Sequence, residues 1–378
     1  MSAKPRCLIW VQTLLGTGHL RRAILLAEAL ADPGCSVTLA NGGRPPPWPR
    51  SEGVDLVQLP VITAGPRGFD DLVTDEGRTV DDDVWRARSD TLHRLAVQTD
   101  VLVTEMFPFG RSAFRRELLP ILDHFGGLVV ASVRDILVSK RDPSKMRWMA
   151  EVAKKSYHRV LVHGDDELLS FSDSFPFFAE IGERVVHTGF TASRETVDQE
   201  APAAPYDVVV SAGGGAVGEP LLAAAARAWS LNGEAAGRWL LVGGSHLPES
   251  DFEQLRASPG VEVVRHRDDL PALMRTARVS VSQAGYNTVV EGLQGGARMV
   301  LVPFARDGED EQTRRAARLA QRGLAVTLAE KDLTPEALLE AIAHASALPR
   351  PRYDPTAFEG AARSADIILA DHRARHGC

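Results

Sequence analysis

The chain has 378 residues, 44% hydrophobic and 25% charged: enough apolar sequence for two cores of roughly 100–200 residues each, and not the composition of a disordered or fibrous chain. Lys and Arg total 43 against 50 Asp and Glu, a formal charge of -7, so global electrostatics give no reason to bind a polyphosphate backbone and no nucleic-acid partner is expected. Cys7, Cys35 and Cys378 are scattered, without CxxC or metal-ligand spacing, and no apolar run approaches about 18 residues; neither a disulfide framework, a zinc site nor a spanning helix is expected, and the cytoplasm fits best.

Short β-branched runs alternate with Ala/Leu/Arg-rich amphipathic stretches from end to end, the pattern of βα units in a parallel sheet, so the class is α/β. In the first half the predicted strands are Cys7–Gln12, Ser36–Ala40, Asp100–Thr104, Gly127–Ser132 and Val160–His163, with a helix at Leu20–Ala31. Residues 64–95, with Gly65, Gly68 and the acidic run Asp81–Asp83, read as a long surface insertion or an interdomain loop. Thr191–Tyr206 has the composition of a linker, which divides the chain into domains 1–198 and 205–356 and a terminal amphipathic segment 357–378. In the second half strands are predicted at Asp207–Ser211, Arg238–Val242, Val261–Val264, Arg278–Ser282 and Arg298–Pro303, with helices at Leu270–Arg275, Asn287–Leu293 and Glu311–Gln321. Two doubly wound domains of this kind bind ligands at the carboxyl ends of their strands, in a cleft between facing sheets.

Directly after the first strand stands Gly16-Thr17-Gly18-His19, leading into a helix. The glycines allow close backbone approach, helix-start amides favour a negative or polar group, and His19 is a candidate general base. A dinucleotide fingerprint fits poorly, because Arg21 or Arg22 stands where a third glycine belongs and the second strand ends without a ribose-binding acid. Glu105 and Arg111 follow another strand, as do Arg134 and Asp135; Glu105 is a second candidate base, and either pair could equally be a structural ion pair.

In the second half, Ser282-Gln283-Ala284-Gly285-Tyr286-Asn287-Thr288 runs from strand to helix and offers backbone amides plus Asn and Thr side chains to an anion such as a diphosphate. Glu291, six residues beyond Gly285, can accept two hydrogen bonds from a ribose diol or be one more solvated helix acid. Gly213-Gly214-Gly215 offers another close approach but lacks the trailing Lys-Ser/Thr of an NTPase loop. Between Arg134 and Arg159 eight basic residues outnumber three acids, with Met146, Trp148 and Met149 interleaved: either a solvated basic face or, over 140–159, a peripheral membrane contact.

The opening Gly16-Thr17-Gly18-His19 with Arg22, and the block Ser282–Glu291 followed by a strand ending Pro303-Phe304, resemble the two-domain GT-B glycosyltransferases related to the peptidoglycan N-acetylglucosaminyl transferase. The same opening is similar to that of nucleotide-sugar hydrolases of pseudaminic acid synthesis, whose histidine is catalytic. Phe107–Arg111 and Arg134–Leu137 resemble segments of a bacterial subgroup of glycosyltransferases. The resemblance implies a GT-B fold of two Rossmann-like domains facing a central cleft. It further implies an inverting, metal-independent transfer from a UDP-sugar to a hydroxyl acceptor, with no cofactor beyond that co-substrate. The donor residues it implies are Gly214, Arg265, Ser282, Gly285, Asn287, Thr288 and Glu291, with Glu311 and Gln312 against the sugar; Gly16, Thr17, Gly18 and Arg134 fall on the acceptor side. It also implies that the terminal helix braces the first domain. A UDP-sugar hydrolase, a UDP-sugar 2-epimerase and a non-catalytic sugar-nucleotide-binding subunit are the alternatives.

Overall fold

The computed structural model describes residues 4–46, 51–65, 68–138, 142–193, 205–214, 217–244, 246–305 and 310–376. Most of the predicted linker, Gly215, Lys140, Arg141, the loop 306–309 and Cys378 lie outside them. The chain forms two compact units, one of Met1–Thr191 with Glu359–Cys378 and one of Ala192–Phe358.

The first unit holds a parallel sheet of seven described strands: β1 (Arg6–Val11), β2 (Ser36–Asn41), β3 (Val54–Gln58), β6 (Val101–Glu105), β7 (Leu128–Arg134), β8 (Arg159–His163) and β9 (Val185–His187). Their order is β3-β2-β1-β6-β7-β8-β9, so the winding reverses between β1 and β6. The strands are continuously apolar because both faces are covered. Leu8, Trp10, Leu102, Val129 and Val160 join one core, while Cys7, Ile9, Val11, Val101, Val103 and Val130 join the other.

Residues 64–95 are not a loop insertion. Two short antiparallel strands, β4 (Thr63–Gly65) and β5 (Gly68–Val73), precede a helix at Asp82–Val97. Asp81 caps this helix by accepting from Val84 N at 2.9 Å, Asp82 and Asp83 suit its N-terminal dipole, and Trp85, Arg88, Leu92 and Ala96 recur at helical spacing on its buried side. The acidic run that reads as loop is a helix start.

The basic helix Pro143–Ser156 packs its apolar side chains inward. Met146, Met149, Ala150, Val152 and Ala153 are buried, and Trp148 meets Phe107 edge-on with centroids 5.8 Å apart. Arg147 and Lys154 share Glu180 at 3.2 and 3.1 Å, and Lys155 reaches Asp123 at 2.6 Å. The apolar groups an interfacial helix would present to lipid are spent inward, and much of the charge is neutralised locally.

The terminal helix Gly360–His376 places Ala365 and Ile368 in the core beside Leu26 and Leu30 of the helix Gly18–Ala31, and Arg159 grips Asp371 at 2.6 and 3.1 Å. It enters where Thr191 bridges Glu359 and Gly360 N donates to Phe190 O; a Cβ on Gly360 would stand 2.3 Å from Gly189 O, so only glycine permits this crossing. The first unit therefore closes at Thr191, ahead of the expected boundary at 198.

The second unit is a parallel sheet in the order β12-β11-β10-β13-β14-β15, formed by β10 (Val208–Ser211), β11 (Trp239–Val242), β12 (Val261–Val264), β13 (Val279–Ser282), β14 (Met299–Leu301) and β15 (Ala325–Thr327). Its switch point lies between β10 and β13, where Ser211 stands opposite Ser282.

Candidate functional site

In the first unit the chemistry gathers at the switch point. β1 runs through a turn containing Gly16 at φ 65° into the helix Gly18–Ala31, capped by Thr17 without a side-chain bond, so His19 sits in the first turn. On the adjoining strand Glu105 is the last residue of β6. His19 Nδ1 lies 2.9 and 3.0 Å from the two Glu105 oxygens, and Arg22, one turn beyond His19, bonds the same carboxylate. Glu105 is 0% and Arg22 3% exposed, whereas the His19 side chain keeps 16%.

Burial alone would raise the Glu105 pKa, but the charges of His19, Arg22 and Arg111 bring it down to about 2. Burial, against the pull of Glu105 and with help from Arg111 and Arg22, lowers His19 to about 3. At neutral pH the group is thus a carboxylate, a guanidinium and a neutral imidazole whose Nδ1–H is directed to Glu105, leaving the Nε2 lone pair as the basic position. Of the two candidate bases, Glu105 is fully buried and His19 is the more exposed.

Arg111 acts on Glu105 through its charge. Arg111 Nε donates to Gln12 O at 2.9 Å. Arg134 ends β7 opposite His163, and Asp135 Oδ1 accepts from the backbone of Ile136 at 2.9 Å. Sequence reading missed His163, which is fully buried between Ser132 Oγ at 2.7 Å and Thr188 Oγ1 at 3.1 Å and whose pKa burial lowers to about 3. It also missed the pair beneath the site: Arg88 holds both Glu117 oxygens at 2.7 and 2.8 Å, both residues 0% exposed, and Trp10 Nε1 donates to the same carboxylate at 3.0 Å. Arg88 also binds Gly42 O, Pro60 O and Gln12 Oε1, which ties the turns after β1 and β2 together.

In the second unit Gly285, in extended backbone, caps a helix at Tyr286–Gln294. Gly285, Asn287, Thr288 and Glu291 are all half-exposed, and Asn287 and Glu291 are one turn apart. Among the described residues beyond the chain neighbours, no atom lies within 4 Å of where a Cβ would stand on Gly213, Gly214 or Gly285. Ser282 Oγ is buried and lacks a hydrogen-bond partner among the described residues, an orphan that a ligand oxygen would satisfy.

Three expected donor contacts are otherwise engaged. Arg265 donates to Leu247 O at 2.8 Å and Glu249 at 2.5 Å and lies over Phe252, shaping the loop after β11. Glu311, 5% exposed, turns inward to Arg315 at 2.8 Å, and Arg315 in turn donates to Ala284 O at 2.7 Å, bracing the turn before Gly285. Gln312 Oε1 accepts from Phe304 N at 3.1 Å. Through Arg315, Glu311 braces the turn before Gly285.

Comparison with known proteins shows what the chain is similar to. The glycosyltransferase family 28 C-terminal domain matches residues 225–367. Over 178 residues the chain is 29% identical to the UDP-N-acetylglucosamine–N-acetylmuramyl-(pentapeptide) pyrophosphoryl-undecaprenol N-acetylglucosamine transferase of Thermotoga neapolitana, covering 46% of this chain and 49% of the relative. The chain thus matches about half the length of that curated relative. Among solved structures, the kitacinnamycin glycotransferase superposes with a TM-score of 0.66 at 18% identity, covering 98% of this chain and all of that one. MurG of Acinetobacter baumannii does so at 0.58 and 15%, covering 98% and 100%. These likenesses establish the GT-B fold of two Rossmann-like units. Among the described residues no cluster of His, Cys, Asp or Glu could hold a metal ion, and no helix is long and apolar enough to cross a membrane.

Proposed function

We propose that the protein is an inverting glycosyltransferase that moves a sugar from a UDP-sugar to a hydroxyl acceptor. The observation that carries the reading is His19, mostly buried with 16% of its side chain exposed, backed by the fully buried Glu105 at the switch point of the first unit. The match to the family 28 domain and the UDP-sugar named for the Thermotoga relative support a donor site in the second unit. The acceptor oxygen forms a bond to the anomeric carbon as the bond from that carbon to the diphosphate breaks, its electron pair leaving with UDP. The acceptor proton passes to His19 Nε2, and Glu105 stabilises the resulting imidazolium. A weak base serves here because the hydroxyl grows acidic as its oxygen bonds to carbon. The diphosphate charge falls on the amides of Tyr286, Asn287 and Thr288, and Glu291 takes the ribose diol.

A thermal-shift titration with UDP, GDP, dTDP and NAD tests the donor assignment. A ligand at 100 times its dissociation constant adds about 2.7 kcal/mol of stability, and a UDP-selective shift is expected. Indifference to all four overturns it. Turnover of UDP-sugars with lipid and saccharide acceptors, in the presence of EDTA, then tests the reaction. Release of free sugar without any acceptor would instead identify water as the acceptor and make the protein a hydrolase.

A further inference from the structure

We infer that Arg22 is a positioning residue: it holds Glu105 as a carboxylate and, by sharing that carboxylate with His19, fixes the imidazole as its neutral Nδ1–H tautomer. The inference rests on the reading of His19 as the base. Arg22 Nη2 bonds Glu105 Oε1 and lies 3.2 Å from His19 Nδ1, so the guanidinium and the imidazole converge on one buried acceptor. An isolated carboxylate that is 0% exposed would take up a proton; a guanidinium, which does not deprotonate in proteins, prevents this. The two Glu105 oxygens, acceptors only, lie 2.9 and 3.0 Å from Nδ1, so that nitrogen carries the hydrogen, while Arg22, donors only, spends its own hydrogens on the same carboxylate. Nε2 is then the lone-pair nitrogen.

The charged and titratable groups around His19 come from three elements. Arg22 lies on its own helix, Glu105 ends β6, and Arg111 follows in the next loop; His163 of β8 adds a neutral buried ring within the field of Arg22 and Glu105. Burial keeps a proton off the imidazole against the pull of Glu105, and the guanidiniums of Arg111 and Arg22 assist it. Without Arg22 the carboxylate's charge acts on His19 alone, and the pair binds a proton more tightly.

Long-range imidazole 15N spectra of the full-length wild type, R22Q and R22K, with H19Q used to assign His19, test this directly. His19 of the wild type is expected to remain the neutral Nδ1–H tautomer down to about pH 5. In R22Q its midpoint should rise by about one pH unit or more, tenfold in proton affinity, while R22K, which keeps the charge, stays within about half a unit of wild type. In turnover assays the acid limb of kcat/KM should move up with the R22Q midpoint, with activity recovering at high pH; a merely structural role lowers kcat/KM equally at every pH. An Nε2–H tautomer in the wild type, an imidazolium at pH 6, or an unmoved R22Q midpoint overturns the inference. Should R22Q not fold, the wild-type and R22K spectra decide it by the same criteria. The spectra need no substrate. Shifted midpoints without sugar transfer reject the transferase reading alone, and sugar transfer with fixed midpoints rejects only the role of Arg22.

Discussion

His19 Nδ1 and Glu105 Oε1, 86 positions apart in the chain, lie 2.9 Å from one another because β1 and β6 are neighbours in the sheet. If the pair abstracts the acceptor proton, His19→Ala should lower kcat by about 100- to 10,000-fold. UDP affinity should stay within about twofold of wild type, since the donor residues belong to the other unit. Glu105→Gln should cost less, because the amide still accepts from Nδ1 but no longer stabilises the imidazolium. Paired steady-state kinetics and UDP titration calorimetry check both; undiminished turnover in His19→Ala removes it from the mechanism.

The donor assignment makes a separate demand on the helix Tyr286–Gln294. Glu291→Ala should weaken UDP at least tenfold, about 1.4 kcal/mol, through the lost ribose contacts. Ser282→Ala should leave the melting temperature nearly unchanged, because the hydroxyl has no described partner to lose, while weakening UDP several-fold. Calorimetry on the two variants separates the cases, and equal UDP affinity in both would move the nucleotide elsewhere.

The βα alternation was legible because both sheets are covered on both faces, so their strands stand out as apolar runs such as Val101–Val103 and Val208–Val210. The helix Asp82–Val97 was not, because its acidic start looks like solvated loop until Asp81 is seen capping it and because its buried face contains Arg88. Local spacing marked His19 and Gly285 as turn-and-helix positions. It could not decide that Glu105 would lie behind His19, since that depends on which strands adjoin. Nor could it show that Arg315, one turn after Glu311, draws that carboxylate inward; the i, i+4 spacing of the pair was the available signal.

Beneath the first site, Arg88 and Glu117 form a bidentate pair with both side chains 0% exposed. Breaking one partner leaves the other charge buried. Glu117→Gln should therefore destabilise the first unit by about 3–5 kcal/mol, with Trp10 also losing a charged acceptor. Urea unfolding followed by tryptophan fluorescence measures this, and a loss below about 1 kcal/mol would show that the network contributes little.

Stability should fall in mild acid, and His163 is one cause. Its folded pKa is lowered to about 3 by burial, against about 6.5 when unfolded, so between those values the unfolded chain holds a proton that the folded one does not. More protons on the unfolded state means that stability rises with pH in this window and is lost as pH falls, by about 1.4 kcal/mol per pH unit for each such histidine. His19, also lowered to about 3, adds a second. Glu105, lowered to about 2 from an ordinary 4.5, contributes its own loss only below about pH 4.5, so the interval from about 6.5 to 4.5 isolates the histidines. Urea midpoints across that interval should give His163→Gln a slope shallower by one proton, the glutamine still able to bond Ser132 and Thr188. Identical slopes for the variant and the wild type would mean that His163 takes up its proton without unfolding, and that the buried network opens on its own.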